Sequence, residues 1–397
     1  MSALKTDFGG DRGDLFTMML RAGFLTVVTL GIYRFWRITK LRRWYWSSIR
    51  PGGVAMEYTG TPQEKLAGFF VAVIVLALYI ALFNLAGLFV AFRLSDNDLS
   101  YLTFAVAAAP LALVPVILAA RYRARRYILS RSTWLGIRFG MDGGAWGYAC
   151  RACMYWALTL ATLGLLWPLK TFQLERYLTD RTWYGTARFR QHGGPLMLYP
   201  LAIPFFVMIA ANIGVVVLAG LETDEAMRGW YALSLPVTFI LLLVSGVYFR
   251  VASVRAMAGL KELGDGLEFG LEPHTGKLLS IHVFGNLISG IMVSLVSPVI
   301  LGLVVGFFYL IGQVDANAIF NPPPNLAAFM AVLIWITLFT LYGVFRQVFV
   351  TYPTVAHVAA TLEIEEPDAL HAVRQRAADK NHEAGGFAEA LDVGAAF

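Results

Sequence analysis

Leu25–Tyr45, LTVVTLGIYRFWRITKLRRWY, decides how this chain is read, because the chain writes it twice. The second copy is Leu158–Tyr177, LTLATLGLLWPLKTFQLERY. The heptapeptide L-T-x-x-T-L-G at Leu25–Gly31 returns at Leu158–Gly164, 133 residues later. That offset lays Arg37 on Lys170, Leu41 on Leu174, Arg43 on Arg176 and Trp44 on Tyr177. Self-similarity of this length marks a chain built from repeated structural units.

A second, shorter element flanks the long one and fixes the period. It is a few extended residues ending in Phe or Tyr, then a turn, then a helix start. Its copies are Thr6–Gly10, Met56–Gly60, Ile137–Gly140, Ala187–Arg190 and Leu267–Gly270. Phe8 and Phe139 are 131 residues apart, Tyr58 and Phe189 also 131, and Phe139 and Phe269 130. Two full repeats, approximately 6–130 and 136–261, and a shortened third, 266–352, account for most of the chain.

Hydrophobic residues make up 58% of the sequence and charged ones 15%, with a mean hydropathy of +0.62, which excludes an ordinary soluble domain. Six stretches are candidates for crossing a hydrocarbon core, which takes roughly 20 apolar residues. They are Leu66–Phe92, Tyr101–Ala120, Leu196–Leu221, Tyr231–Phe249, Pro298–Ile311 with its N-terminal extension, and Leu326–Phe345. Met1–Asp14 carries mixed charge and no apolar run, so no cleavable signal peptide is expected. Two cysteines argue against a disulfide framework. The fold class expected is an all-α polytopic membrane protein of the bacterial inner membrane, a single domain over 1–352, with a polar C-terminal tail, 353–397.

Charge placement orients it. The loops between paired spans are acidic: Asp96 and Asp98 in Arg93–Ser100, then Glu222, Asp224 and Glu225, then Asp315 in Gln313–Asn325. The opposite ends are basic, with Arg121, Arg123, Arg125 and Arg126, then Arg250, Arg255 and Lys261, then Arg346. Excess Lys and Arg marks cytoplasmic ends, so the acidic loops face out and both termini and all five strand-like elements face in.

The duplicated stretch must then begin and end inside. A single crossing would strand one basic copy outside. A re-entrant or in-plane helical hairpin over Leu15–Trp36 and Trp146–Leu169, hinged at Gly31 and Gly164, satisfies both ends; a tilted span is the alternative. Pro168 helps to limit the second copy. The extended elements alternate apolar, charged, aromatic, as in Ile137-Arg138-Phe139, which suits strands with one buried face. Unlike charges at their middle positions suit direct neighbours in a small cytoplasmic sheet; five separate turns is the other reading. In the tail, a short helix is expected over Pro367–Ala378 and disorder over Gly385–Phe397.

The N-terminal block, LTVVTLGIYRFWRITKLRRWYW followed by EYTGT and Glu64, resembles the YjgN-like family of bacterial inner-membrane proteins. The carrying features are Thr29-Leu30-Gly31-Ile32-Tyr33 with Phe35-Trp36, the basic-aromatic run after them and the Tyr58-Thr59-Gly60 strand end. The second copy departs from the pattern, with Leu165-Leu166-Trp167-Pro168 in place of Ile32-Tyr33-Arg34-Phe35. The resemblance implies fold and location and brings no catalytic residues with it.

Candidate contacts for an anionic solute or a lipid headgroup are Arg21, Arg151 and His282, at matching places in the three repeats, with Arg37, Arg42, Arg43, Lys170 and Arg176 in the basic-aromatic runs. Ionisable groups in apolar segments usually face a cavity, a partner or the interface; snorkelling to the interface is the competing role for each. Juxtamembrane Lys/Arg clusters also grip anionic lipids or simply set topology. Asn84, Asn212 and Asn286 suit helix-to-helix hydrogen bonds. Cys150 and Cys153 form C-x-x-C without further ligands and read as small buried residues. Glu64 and Glu175 have no evident acid–base partner. No nucleotide loop, nucleophile elbow or metalloprotease pattern occurs, so no cofactor, metal or nucleic acid is expected, and nothing in the sequence argues for an enzyme. Two functions remain in view. One is a transporter or channel-like protein for a small anionic solute or lipid. The other is a non-catalytic membrane scaffold that organises lipid or a partner.

Overall fold

The structure is a computed structural model and describes residues 3–94, 100–264, 266–312, 323–365 and 367–376. The chain begins with β1 (Leu4–Phe8), α1 (Arg12–Val28), α2 (Arg34–Ser48), β2 (Ile49–Pro51), β3 (Glu57–Tyr58), α3 (Pro62–Leu94) and α4 (Ser100–Ser130). Next come β4 (Ser132–Trp134), β5 (Ile137–Met141), α5 (Ala145–Ala161), α6 (Trp167–Thr179), β6 (Thr182–Tyr184) and β7 (Ala187–Gln191). It ends with α7 (Tyr199–Leu221), α8 (Glu225–Ala258), β8 (Lys261–Leu263), β9 (Leu267–Leu271), α9 (Thr275–Leu310), α10 (Pro324–Arg346), α11 (Tyr352–Ala360) and β10 (Leu362–Ile364).

Helix dominates. Among the described residues, five helical segments are long and apolar enough to cross a membrane: Pro62–Phe89, Pro195–Leu221, Glu225–Ala258, Thr275–Leu310 and Pro324–Ala360. The helices outrun the apolar stretches that announce them. α8 continues through Arg250 and Arg255, and α4 through Arg121–Arg126, because long basic residues are good helix formers once the membrane-facing run is under way. Asp96, Asp98, Asp315 and Gly385–Phe397 lie outside the described residues.

Contacts divide the chain into two compact units. The larger comprises chiefly Met56–Leu271 with the described residues from Glu363, and the smaller Lys5–Ala55 with Glu272–Leu362. In the larger unit the strands lie in the order β10-β9-β8-β7-β6-β5-β4-β3, and the pairs from β3 to β9 are antiparallel. Trp134, Tyr184, Leu263, Leu267 and Ile364 form the core of one face, with Ile137, Phe139, Phe189 and Phe269 packed against them. The apolar-charged-aromatic pattern thus does bury one side.

The five expected elements fall on β1, β3, β5, β7 and β9, yet from β3 to β9 they are not direct neighbours. A three-residue strand stands between each: β4, β6 and β8. Glu57 therefore faces Thr133, and Arg188 faces Trp183, rather than one another's elements. The hairpins turn through two residues, Leu135-Gly136 and Gly185-Thr186. Leu135 and Gly136 have φ of 51° and 73°, as a type I′ turn requires.

The expected helix over Pro367–Ala378 is cut short to a 3₁₀ turn, Pro367–Ala372. Beyond it the backbone is recruited elsewhere. Arg138 N–H donates to Gln375 Oε1 at 2.8 Å, Arg374 N–H to Thr186 Oγ1 at 3.2 Å, and Arg376 lies over Trp183. These bonds hold Val373–Arg376 along the β-hairpins and take it out of helical register.

In the smaller unit β1 pairs antiparallel with β2, and α1 packs on α10 with Gly23 against Thr340 and Val344. α10 runs into α11 through a π-helical turn, Gln347–Thr351. Arg12 stabilises that turn: its Nε and Nη2 donate to the Val348 carbonyl at 3.2 and 3.0 Å, and its guanidinium lies 5.1 Å from the Phe349 ring centre. Tyr45 Oη donates to Gln347 Oε1 at 3.2 Å from α2. Burial pushes the Tyr45 hydroxyl well above the usual phenol range.

Candidate anion-contact site

The duplicated heptapeptide encodes a helix stop. At the end of α1, Gly31 N–H donates to the Thr26 carbonyl at 2.7 Å and Leu30 N–H to the Val27 carbonyl at 3.0 Å. This is a Schellman pattern, which satisfies the last carbonyls of a helix through a left-handed residue. The same bonds close α5: Gly164 N–H to Thr159 O at 2.7 Å and Leu163 N–H to Leu160 O at 3.1 Å. The threonines complete the turn. Thr29 Oγ1 donates to Leu25 O at 2.7 Å and accepts from Tyr33 N–H at 2.9 Å, and Thr162 makes the matching bonds to Leu158 and Leu166.

The left-handed residue is a leucine in both copies, with φ of 48° at Leu30 and 50° at Leu163. Glycine would sit there without strain. Both leucines are exposed, 55% and 70%, and so are Val28, Ile32, Leu160 and Leu165. Each helix–turn–helix therefore ends in an apolar tip.

α2 packs along α1 and leaves a cleft of about 450 Å³ lined by Asp14, Met18, Arg21, Leu25, Tyr33 and Lys40, among others. Lys40 Nζ donates to Tyr33 Oη at 2.8 Å. Arg21 is exposed, and its guanidinium makes no hydrogen bond or ion pair with any described residue. Asp14, the one carboxylate of the lining, sits in the first turn of α1, which the Asp11 side chain caps by accepting from Asp14 N–H. The lining thus carries the two cations Arg21 and Lys40, the carboxylate of Asp14 and the apolar Met18, Ala22 and Leu25.

None of the other sequence candidates lines this cleft. Arg43 is exposed on α2, whereas Arg42 is buried and Arg37 half-buried. His282 Nδ1 lies 2.9 Å from the Leu278 carbonyl of its own helix. In the larger unit, Arg151 donates to Gly147 O at 3.0 Å and lies 4.9 Å from the Tyr177 ring centre, with Arg181 3.6 Å from the same ring. Arg176 pairs with Asp180 at 3.5 Å. Lys170 is buried between two indoles, its ammonium 3.3 Å from the Trp156 ring centre and 5.4 Å from that of Trp167. Burial pushes its pKa down to about 8.

Asn212 does bridge helices: it donates to Thr238 O at 3.1 Å and accepts from Thr238 Oγ1 at 3.2 Å. Asn286 accepts from Tyr342, while Asn84 donates to Ile80 O of its own helix. Cys150 is exposed and Cys153 half-buried, both as free thiols, so Cys150 is not the buried residue expected.

The two carboxylates that seemed alone have partners far along the chain. Glu175 accepts from Lys261 Nζ at 2.6 Å. Burial alone would raise its pKa, but Lys261 and Arg125 outweigh it and hold the carboxyl below its ordinary range. Glu64 accepts from Arg131 Nη2 at 2.9 Å and from the Tyr127 hydroxyl. Burial, and then the bond to Glu64, push that hydroxyl far up. Separations of 86 and 67 residues leave no local signal for either pair.

No curated protein matches the chain, and no solved structure does. The family described as bacterial protein of unknown function (DUF898), which is the YjgN-like family, matches residues 3–386, and this chain belongs to it.

Proposed function

We propose that this protein is a multi-pass protein of the bacterial inner membrane that binds the anionic headgroup of a membrane lipid in the α1–α2 cleft and so organises lipid about its helices. Arg21 carries the reading: a guanidinium with no partner among the described residues, on the wall of a cleft that also holds the Lys40 ammonium. A lipid phosphate suits both, as bidentate acceptor for the one and point charge for the other. Met18 and Leu25 suit the first methylenes of its chains.

In this proposal the chain is one membrane domain of internal repeats over 1–352, with the polar tail, both termini and the sheet on the cytoplasmic side. The two helix–turn–helix elements dip into the bilayer and return. Their apolar tips support this, and so does the basic character of α2, with Arg34, Lys40 and Arg43 near the headgroups.

Transport of a lipid or a small anionic solute is the second reading, and the duplicated glycine-marked turns favour it, since broken helices build the sites of many transporters. Coupling to protons or cations finds less support. No Asp or Glu occurs in 65–94, 199–221, 226–258, 275–310 or 324–360.

The test is lipid retention, read by native mass spectrometry of protein released from nanodiscs of phosphatidylglycerol and phosphatidylethanolamine. Arg21→Gln with Lys40→Gln is expected to lower retained phosphatidylglycerol by roughly tenfold or more, at the usual worth of charge-assisted bonds, without changing phosphatidylethanolamine. Equal retention of phosphatidylglycerol by wild type and variant would overturn the proposal.

A further inference from the structure

We propose that Lys170, held between Trp156 and Trp167 in the α5–α6 hairpin, is a second lipid contact that takes one anionic oxygen of a phosphodiester headgroup. An ammonium has three N–H donors and no acceptor. Lys170 is only 6% exposed, and no described residue accepts a hydrogen bond from it. The Trp156 face at 3.3 Å serves one direction and Trp167, at 5.4 Å, more weakly a second. The ammonium is not fully sealed, and in a lipid-facing hairpin its open donors suit an anion.

The surroundings say which anion. Trp156 is 47% exposed, and Leu160, Leu163 and Leu165 are exposed around the adjacent turn. A free phosphate would have to leave water for an apolar rim, whereas a lipid brings chains that suit it. This inference rests on the hairpin tips entering the membrane but not on the α1–α2 cleft, whose residues belong to the other unit.

Headgroup-selective quenching tests it. Full-length protein is placed in nanodiscs containing brominated phosphatidylglycerol or brominated phosphatidylcholine, and the Trp156 contribution is isolated by difference from Trp156→Phe. Stronger quenching by phosphatidylglycerol is expected. The excess should vanish in Lys170→Met, persist in Lys170→Arg, and persist in Arg21→Gln with Lys40→Gln. Equal quenching by the two lipids in the wild type overturns the proposal, whatever the variants do. Removal of the excess by inorganic phosphate also overturns it, in favour of a soluble anion. No quenching by either lipid overturns the membrane reading of the hairpin itself.

Discussion

The Gly31 N–H donates to the Thr26 carbonyl at 2.7 Å, and 133 residues on Gly164 makes the same bond to Thr159 at the same length. The heptapeptide is repeated because each of its fixed positions has a task in one turn. Thr26 and Thr159 supply carbonyls, Thr29 and Thr162 bridge the two helices, Leu30 and Leu163 take the left-handed step, and the glycine follows with φ of 96° or 92°.

Alanine at either glycine should therefore be strained. Gly31→Ala has open space for its Cβ, so its cost is backbone alone, about 1–2 kcal/mol. Gly164→Ala adds a 3.3 Å approach to Ile209 Cδ1 and should cost slightly more. Leu163→Gly should go the other way and stabilise the detergent-solubilised protein by up to about 1 kcal/mol. Thermal unfolding in one detergent ranks all three.

Gly285 of α9 lies against the π-helical turn, and a Cβ there would meet the Phe349 carbonyl oxygen at 2.5 Å. Backbone cannot step aside as a side chain does. Gly285→Ala is expected to destabilise by about 1–3 kcal/mol, while Gly290→Ala, with nothing within 4 Å on the same helix, should be neutral or stabilising. Unfolding midpoints of the two variants check the contrast.

The Glu175–Lys261 pair gives a pH dependence with a defined sign. The folded carboxyl titrates below its unfolded value of about 4.3, so its stabilisation is complete above that pH. It is lost as pH falls through the folded value. Glu175→Gln should cost about 1–3 kcal/mol at pH 7 and flatten the acid limb of the stability curve. An unchanged acid limb would show that Glu175 does not set it.

How much of this was legible in the sequence follows from distance along the chain. The Leu25–Gly31 repeat, the apolar stretches and the aromatic strand ends are local patterns, and each marks a real turn, helix or strand. β4, β6 and β8 escaped because three residues directly after a helix are too short to show a period of two. Trp156 and Lys170 look unrelated until α6 folds back on α5. The partners of Glu64 and Glu175 needed the tertiary fold. Arg21 could be singled out as a lone cation in an apolar helix, but its cleft depends on where α2 places Tyr33 and Lys40.

Spin labels at Leu30 and Leu163, on a background with Cys150 and Cys153 replaced by Ala, report whether the hairpin tips enter the bilayer. In nanodiscs the hairpin tips should be reached by dissolved oxygen and shielded from a water-soluble nickel chelate, as lipid-immersed sites are. Ready collision with the chelate at both positions, matching a label at Glu222, would place the tips in water and overturn the re-entrant reading of both hairpins.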